Sequence, residues 1–153
     1  MEIERKFLVC NEEYKKLAQP EHIVQGYLNS DKSRTVRVRL KEAKGFITIK
    51  SVTVGISREE FEYEIPNDDA RQILENICEK PILEKNRYSI NYRGSIWEID
   101  EFLGDNQGLV VAEIELDDPK QLFEKPDWIG KEVSDDPRYF NSSLIKNPFK
   151  TWK

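Results

Sequence analysis

Arg34-Thr35-Val36-Arg37-Val38-Arg39-Leu40-Lys41 is a strand pattern with two unlike faces. Side chains alternate across a strand, so Arg37, Arg39 and Lys41 share one side while Val36, Val38 and Leu40 share the other. The apolar side needs cover, and the basic side needs water or counter-charge. The same division recurs along the chain. In 45–51, Thr48 and Lys50 oppose Ile47 and Ile49; in 58–65, Arg58, Glu60, Glu62 and Glu64 oppose Phe61, Tyr63 and Ile65. Further on, Lys85 and Arg87 share a face, Glu98 and Asp100 oppose Trp97 and Ile99, and Glu113 and Glu115 oppose Ala112, Ile114 and Leu116. At the start, Glu2, Glu4 and Lys6 fall together on a face without an apolar residue.

The segments 2–9, 23–29, 34–41, 45–51, 58–65, 82–92, 95–103 and 109–116 make about eight strands by this criterion. Turn residues such as Asn29-Ser30-Asp31, Lys44-Gly45, Arg93-Gly94-Ser95 and 104–108 separate several of them, and short connections favour antiparallel neighbours. The clearest helical pattern is 68–79, with Asn67 as a capping residue and Ile73, Leu74 and Ile77 as an apolar stripe. Less regular helical patterns cover 11–18, 119–124 and 141–146.

Like charges two residues apart on a strand lie about 7 Å from one another. They repel by roughly 2.4 kcal/mol at an effective dielectric near 20 and by about 0.6 kcal/mol in open water. A crowded charged face is therefore tolerable only when solvated or neutralised. Acids and bases segregate by strand here, so cross-strand pairing can neutralise part of the surface. Eight such strands can close into an antiparallel β-barrel, a mainly β member of the α+β class, with the charged side lining the lumen and a few helices covering the apolar outside. Arg and Lys in such a lumen suit a ligand with several phosphates, and the carboxylates suit Mg²⁺ or Mn²⁺ riding on those phosphates.

Composition narrows the alternatives. The 153 residues fit a single domain spanning 1–153, 35% are charged, and the net charge is -5. That balance argues against broad binding to nucleic acid or to anionic membranes, so no nucleic-acid or membrane partner is expected. With neither a transmembrane run nor a signal-peptide pattern, a cytoplasmic location is expected. Cys10 and Cys78 lack metal or redox spacing, and the lone His22 leaves no histidine for a catalytic triad elsewhere.

The ordered motifs resemble the CYTH superfamily of triphosphate tunnel metalloenzymes. Glu2-Ile3-Glu4-Arg5-Lys6 is similar to its E-x-E-x-K signature, Gln25-Gly26-Tyr27-Leu28 to its Q-G-Y-L strand, and Arg37-Val38-Arg39 to its R-x-R. Lys50, Glu60-Phe61-Glu62, Lys85-Asn86-Arg87, Glu98-Ile99-Asp100 and Glu113-Ile114-Glu115 follow in order, then Glu132-Val133-Ser134, Arg138-Tyr139 and Asn141. The resemblance implies an eight-stranded tunnel that hydrolyses tripolyphosphate or a related triphosphate with a divalent metal. Carried over residue by residue, it implies Glu2, Glu4, Glu113 and Glu115 as metal ligands. It likewise implies Lys6, Arg37, Arg39, Lys50, Lys85 and Arg87 as phosphate binders, to which Arg58 is added from its place on the same charged face.

Lys85 and Tyr27 are the candidates for catalytic contacts, Lys85 at the leaving oxygen and Tyr27 as a hydrogen-bonder in the lumen. Glu62 and Asp100, with Glu60, are candidates for orienting the bases, holding a second metal or placing the attacking water. Adenylate cyclase and thiamine triphosphatase chemistry are the alternatives within the same fold; a non-catalytic polyphosphate or nucleotide binder is the alternative outside it. The outward aromatics Phe61, Tyr63 and Trp97 could cover a homodimer interface or pack under helices.

Overall fold

Ten strands, not eight, form the body of the protein in the computed structural model, which describes residues 1–152. They are β1 (Glu2–Val9), β2 (Glu21–Asn29), β3 (Arg34–Lys41), β4 (Lys44–Ser51), β5 (Ser57–Arg58), β6 (Glu60–Ile65), β7 (Leu83–Tyr92), β8 (Ser95–Phe102), β9 (Val110–Glu115) and β10 (Ile129–Glu132). The sheet runs β10-β1-β9-β8-β7-β2-β3-β4-β6, with every pairing antiparallel and β5 attached to β1.

The expected closed barrel is corrected at one seam. No ladder joins β6 to β10, and the two ends of the sheet meet only where β5 pairs with β1, Glu2 opposite Arg58 and Ile3 opposite Ser57. The cause is a change of partner at Glu59. Its carbonyl accepts from the Ser51 amide and its own amide donates to Ser51 Oγ, but Arg58 before it has already turned onto β1. The expected strand 58–65 is thereby split, and β6 is left as an edge. The strand that alternation did not reveal is β10, four residues long, whose Gly130 lies against the Leu8 carbonyl, so that an added Cβ would meet that oxygen at 3.3 Å.

The helices follow the expected pattern only in part. α1 (Asn67–Asn76) starts after Pro66 as its N-cap, and Asn67, expected to cap, donates its side-chain amide to the Ala43 carbonyl instead. Ala70 and Leu74 bury against the outer face of β2, β3 and β4, beside Val38, while Ile77 lies past the helix end and is exposed. The 119–124 helix does not form: Pro119 and Pro126 bracket an irregular stretch that exposes Leu122 and seats Phe123 on Trp97. Residues 11–18 make one 3-10 turn, Glu13–Lys16, that buries Tyr14, and α2 spans Asn141–Leu144.

Three apolar clusters result. One covers the outer face of β1, β7, β8 and β9 with Phe7, Tyr14, Tyr88, Trp97 and Trp128, so the outward Trp97 is fully buried under Phe123 and Trp128, whereas Phe61 and Tyr63 on β6 stay exposed. The second holds α1 against β2, β3 and β4. The third is on the inner face, where Tyr27, Leu83, Phe102 and Val111 stand in the same alternation as the charged residues and meet Tyr139, Leu144 and Ile145 of the C-terminal segment. The inner face is therefore charged along part of its length and apolar at the end that the C-terminal segment covers.

Candidate active site

A cavity of about 70 Å³ lies against the charged part of the inner face. It is lined by seven bases (Lys6, Arg37, Arg39, Lys50, Arg58, Lys85, Arg87) and three carboxylates (Glu2, Glu4, Glu113), an excess of positive charge inside a chain whose net charge is -5. Register explains the convergence: Lys6 stands opposite Glu113, Tyr27 opposite Arg37, Gln25 opposite Arg39, and Arg87 opposite Asp100, all on inward positions of neighbouring strands.

At the acidic side, bases bridge the carboxylates. Lys6 Nζ lies 2.7 Å from Glu113 and 3.2 Å from Glu4; Lys50 Nζ lies 3.2 Å from Glu2 and 3.3 Å from Glu60; Arg58 Nε donates to Glu2 at 2.9 Å. Burial works against ionised Glu2, but Lys50, a hydrogen bond with Glu60 and Arg58 together carry its carboxyl down to about 2. Glu4 goes the other way, up to about 7, because burial and the adjacent Glu113 charge outweigh Lys6. Glu113 itself is held well below the usual carboxylate range, since Lys6, Arg87 and Lys85 overcome its burial.

At the basic side, the charges are under-neutralised. Asp100, almost fully buried, takes Arg87 through a fork of 2.7 and 2.9 Å and Lys85 at 2.8 Å. Arg39 has only the neutral Gln25 Oε1, which accepts from its Nε and Nη2 at 3.0 and 2.9 Å. Arg37 donates to Thr48 Oγ1, and its buried Nε has no partner. Burial, then the charges of Arg37 and Arg87, pull Arg39 down to about 9, where a guanidinium is still ionised at neutral pH. Burial likewise lowers Lys85 to about 7, Asp100 opposing and Arg87 and Arg39 adding to the shift. Desolvated bases with unspent donors require an anion with many oxygens.

Eleven of the fifteen candidate residues named from sequence line this cavity, Asp100 stands directly behind Lys85 and Arg87, and Glu60 meets Lys50. Glu62 and Glu115 are not brought in. Glu62 sits exposed on the edge strand β6 because the ladder stops there, and Glu115 is exposed at the open end of β9, one inward step beyond Glu113. Among the described residues no three acids converge as a ready cation cage. The donor set nevertheless suits a divalent cation: a cation, the Lys6 ammonium, already bridges Glu4 and Glu113, and Glu4 lacks full compensation. Residues missed by alternation also line the cavity: Thr53, Gly55 and Ile56 from the β4–β5 loop, Ser134, and Phe140, Asn141 and Ser142 near α2. Their only sequence signal is the late motif resemblance at Ser134 and Asn141.

The CYTH domain family profile matches residues 1–144, from the first strand to the last residue of α2. The chain belongs to the CYTH family. This CYTH chain is 55% identical to an inorganic triphosphatase of Acetivibrio thermocellus over 152 residues, 99% of the chain and 97% of the relative. It is 39% identical to an inorganic triphosphatase of Nitrosomonas europaea, covering 94% of the chain and 95% of that protein. Among solved structures, a crystal structure of an inorganic triphosphatase superposes with a TM-score of 0.67 at 33% identity, covering 94% of this CYTH chain and 96% of the other. No helix among the described residues is long and apolar enough to cross a membrane.

Proposed function

We propose that the protein is a divalent-metal-dependent inorganic triphosphatase, cleaving a phosphoanhydride bond of tripolyphosphate in the charged cavity. The observation that carries this reading is the under-neutralised basic side, Arg37, Arg39, Lys85 and Arg87, packed against a carboxylate pair that favours a further cation. Full-length similarity to two inorganic triphosphatases supports the same reading.

Arg37 and Arg39 present planar forks for bidentate contact with phosphate oxygens, whereas Lys6, Lys50 and Lys85 act as compact charges. Glu2, Glu4 and Glu113 would hold Mg²⁺ or Mn²⁺, with the exposed Glu115 at the rim. The metal, when bound, supplies Lewis-acid neutralisation of phosphate oxygens. Asp100 fixes the Arg87 fork and holds Lys85 against it, which sets both donors before substrate arrives. Lys85 would receive the charge that develops on the leaving oxygen, and burial keeps the Tyr27 hydroxyl protonated as a neutral donor in the same cavity. Most residues in the lining are charged or polar, which favours a plain phosphate chain over a nucleotide.

The test is a substrate panel. Tripolyphosphate, ATP and thiamine triphosphate are each incubated with Mg²⁺ or Mn²⁺ and without metal, and phosphate, pyrophosphate and cyclic AMP are assayed. Metal-dependent phosphate release, fastest with tripolyphosphate, is expected. Cyclic AMP with pyrophosphate from ATP would replace the hydrolase with a cyclase; tight binding with no product would replace it with a sensor.

A further inference from the structure

Asn141 lies more than fifty residues beyond Lys85 in sequence, at the first position of α2, yet its side chain ends in the cavity wall. Its Oδ1 accepts from Lys85 Nζ at 2.8 Å and from Gln25 Nε2 at 3.1 Å. Gln25, completely buried, then turns its own Oε1 to Arg39, where it accepts two guanidinium bonds. The direction of this chain is forced from both ends. Lys and Arg can only donate, so the carbonyl oxygens of both amides must face them, and the Gln25 NH₂ is left to Asn141. Of the three donors of the Lys85 ammonium, one goes to Asp100 and one to Asn141, which leaves one for the cavity that Lys85 lines. The apolar anchorage of Tyr139, Leu144 and Ile145 fixes the segment that carries Asn141.

We infer that Asn141 is a positioning residue of the phosphate site, holding Lys85 directly and Arg39 through Gln25 in the orientation that receives the end of the phosphate chain. The inference rests on the triphosphatase reading. Asn141 does not itself supply charge; it removes the rotational freedom of two cationic donors that would otherwise have to be ordered by the substrate. The C-terminal segment is thereby part of the site and not only the cover of its apolar end.

Two variants test this. Asn141→Ala removes the shared acceptor and should lower kcat/KM for tripolyphosphate by about tenfold or more, the scale of a lost hydrogen bond to a charged group. Asn141→Asp keeps the acceptor and adds charge. The groups facing Lys85 are Asp100, Arg87, Arg39 and Glu113, all retained in both variants, so the alkaline limb of the kcat/KM profile should move to lower pH in Asn141→Ala and to higher pH in Asn141→Asp. Thermal melts record whether each variant folds; if Asn141→Ala does not, the direction of the limb in Asn141→Asp decides alone. A wild-type enzyme that hydrolyses tripolyphosphate, with folded variants whose kcat/KM stays within twofold and whose limbs do not move, would overturn the inference while leaving the triphosphatase reading intact. A wild type that releases no phosphate would overturn the reading itself.

Discussion

Asp100→Asn should destabilise the metal-free protein more than any other single change of similar size. Asp100 is 1% exposed and neutralises two buried bases, Arg87 through 2.7 and 2.9 Å contacts and Lys85 through one of 2.8 Å. An amide keeps the shape, loses the charge and turns an NH₂ toward a group that can only donate. Removing one partner of a buried ionic cluster costs about 3–5 kcal/mol. Lys85 moderates the loss, because burial already lowers it to about 7 and it can shed its proton when Asp100 is gone, so about 3 kcal/mol is the appropriate figure. At about 2–4 °C per kcal/mol for a chain of this size, Tm should fall by about 6–12 °C. The carboxyl of Asp100 sits well below its ordinary range, since Arg87 and Lys85 overcome its burial. The stability it lends is therefore complete above the ordinary carboxylate pKa of about 3.9 and is lost as the pH falls below that, toward the folded value. Circular-dichroism melts of both proteins should show the gap widening as the pH falls below about 7, where the variant must keep Lys85 neutral although the unfolded chain protonates it, and closing only below about pH 4. A variant melting within 2 °C of wild type at pH 7 would refute the assignment of Asp100 as the neutralising centre of the basic side.

Tripolyphosphate alone, without metal, should raise Tm, because it neutralises bases that the empty cavity leaves under-compensated; at one hundred times Kd the gain is about 2.7 kcal/mol, or about 5–10 °C. Binding should also take up a proton above pH 7, where Lys85 is partly neutral in the free protein and charged beside phosphate, and calorimetry in buffers of different ionisation enthalpy reads that proton directly. Glu4→Gln should abolish metal-stimulated phosphate release while the metal-free Tm at pH 8 is not lowered. The wild-type carboxyl is raised to about 7, so its ionised form costs stability as the pH rises from its ordinary value through 7, and the amide escapes that cost. Full activity in Glu4→Gln would remove it from the ligand set. Gly45→Ala should destabilise by about 1–3 kcal/mol, read by urea unfolding, because its Cβ would stand 2.7 Å from Ala70 Cβ and 3.0 Å from the Ile65 carbonyl, where α1 docks on β4. An unchanged midpoint would mean that the helix yields without cost.

The strand pattern survived folding wherever both faces of a strand have distinct surroundings. β1, β3, β7, β8 and β9 each carry an inner and an outer face with different partners, and their alternation is visible in Arg37-Val38-Arg39 as in Trp97-Glu98-Ile99. Alternation is silent where that asymmetry is missing. Ile129-Gly130-Lys131-Glu132 forms β10 because the chain runs beside β1 and Gly130 permits close approach, not because of any periodicity. The split at Glu59 is equally invisible, since Arg58 and Glu60 share a parity and only the choice of neighbour, β1 or β4, separates them.

The same physics decides which charged residues reach the cavity. Parity assigns a residue to a face, but a face has a length, and enclosure varies along it. Glu60, Glu62 and Glu64 are equivalent by alternation, yet only Glu60 lies near enough to β1 to meet Lys50 beside Glu2, while Glu62 and Glu64 face solvent along an unpaired edge. Glu113 and Glu115 separate for the same reason, Glu113 between Lys6 and the basic strands and Glu115 at the open end. In the opposite direction the face turns apolar at Leu83, Phe102 and Val111, all of the parity that elsewhere carries Lys85, Asp100 and Glu113. Those three were readable as a change of chemistry along each strand, and they mark where an external segment must dock, because a buried face cannot end in unsatisfied apolar surface any more than in unsatisfied charge. The segment that docks there brings Asn141 to the boundary between the two, where Lys85 needs an acceptor that is not another acid.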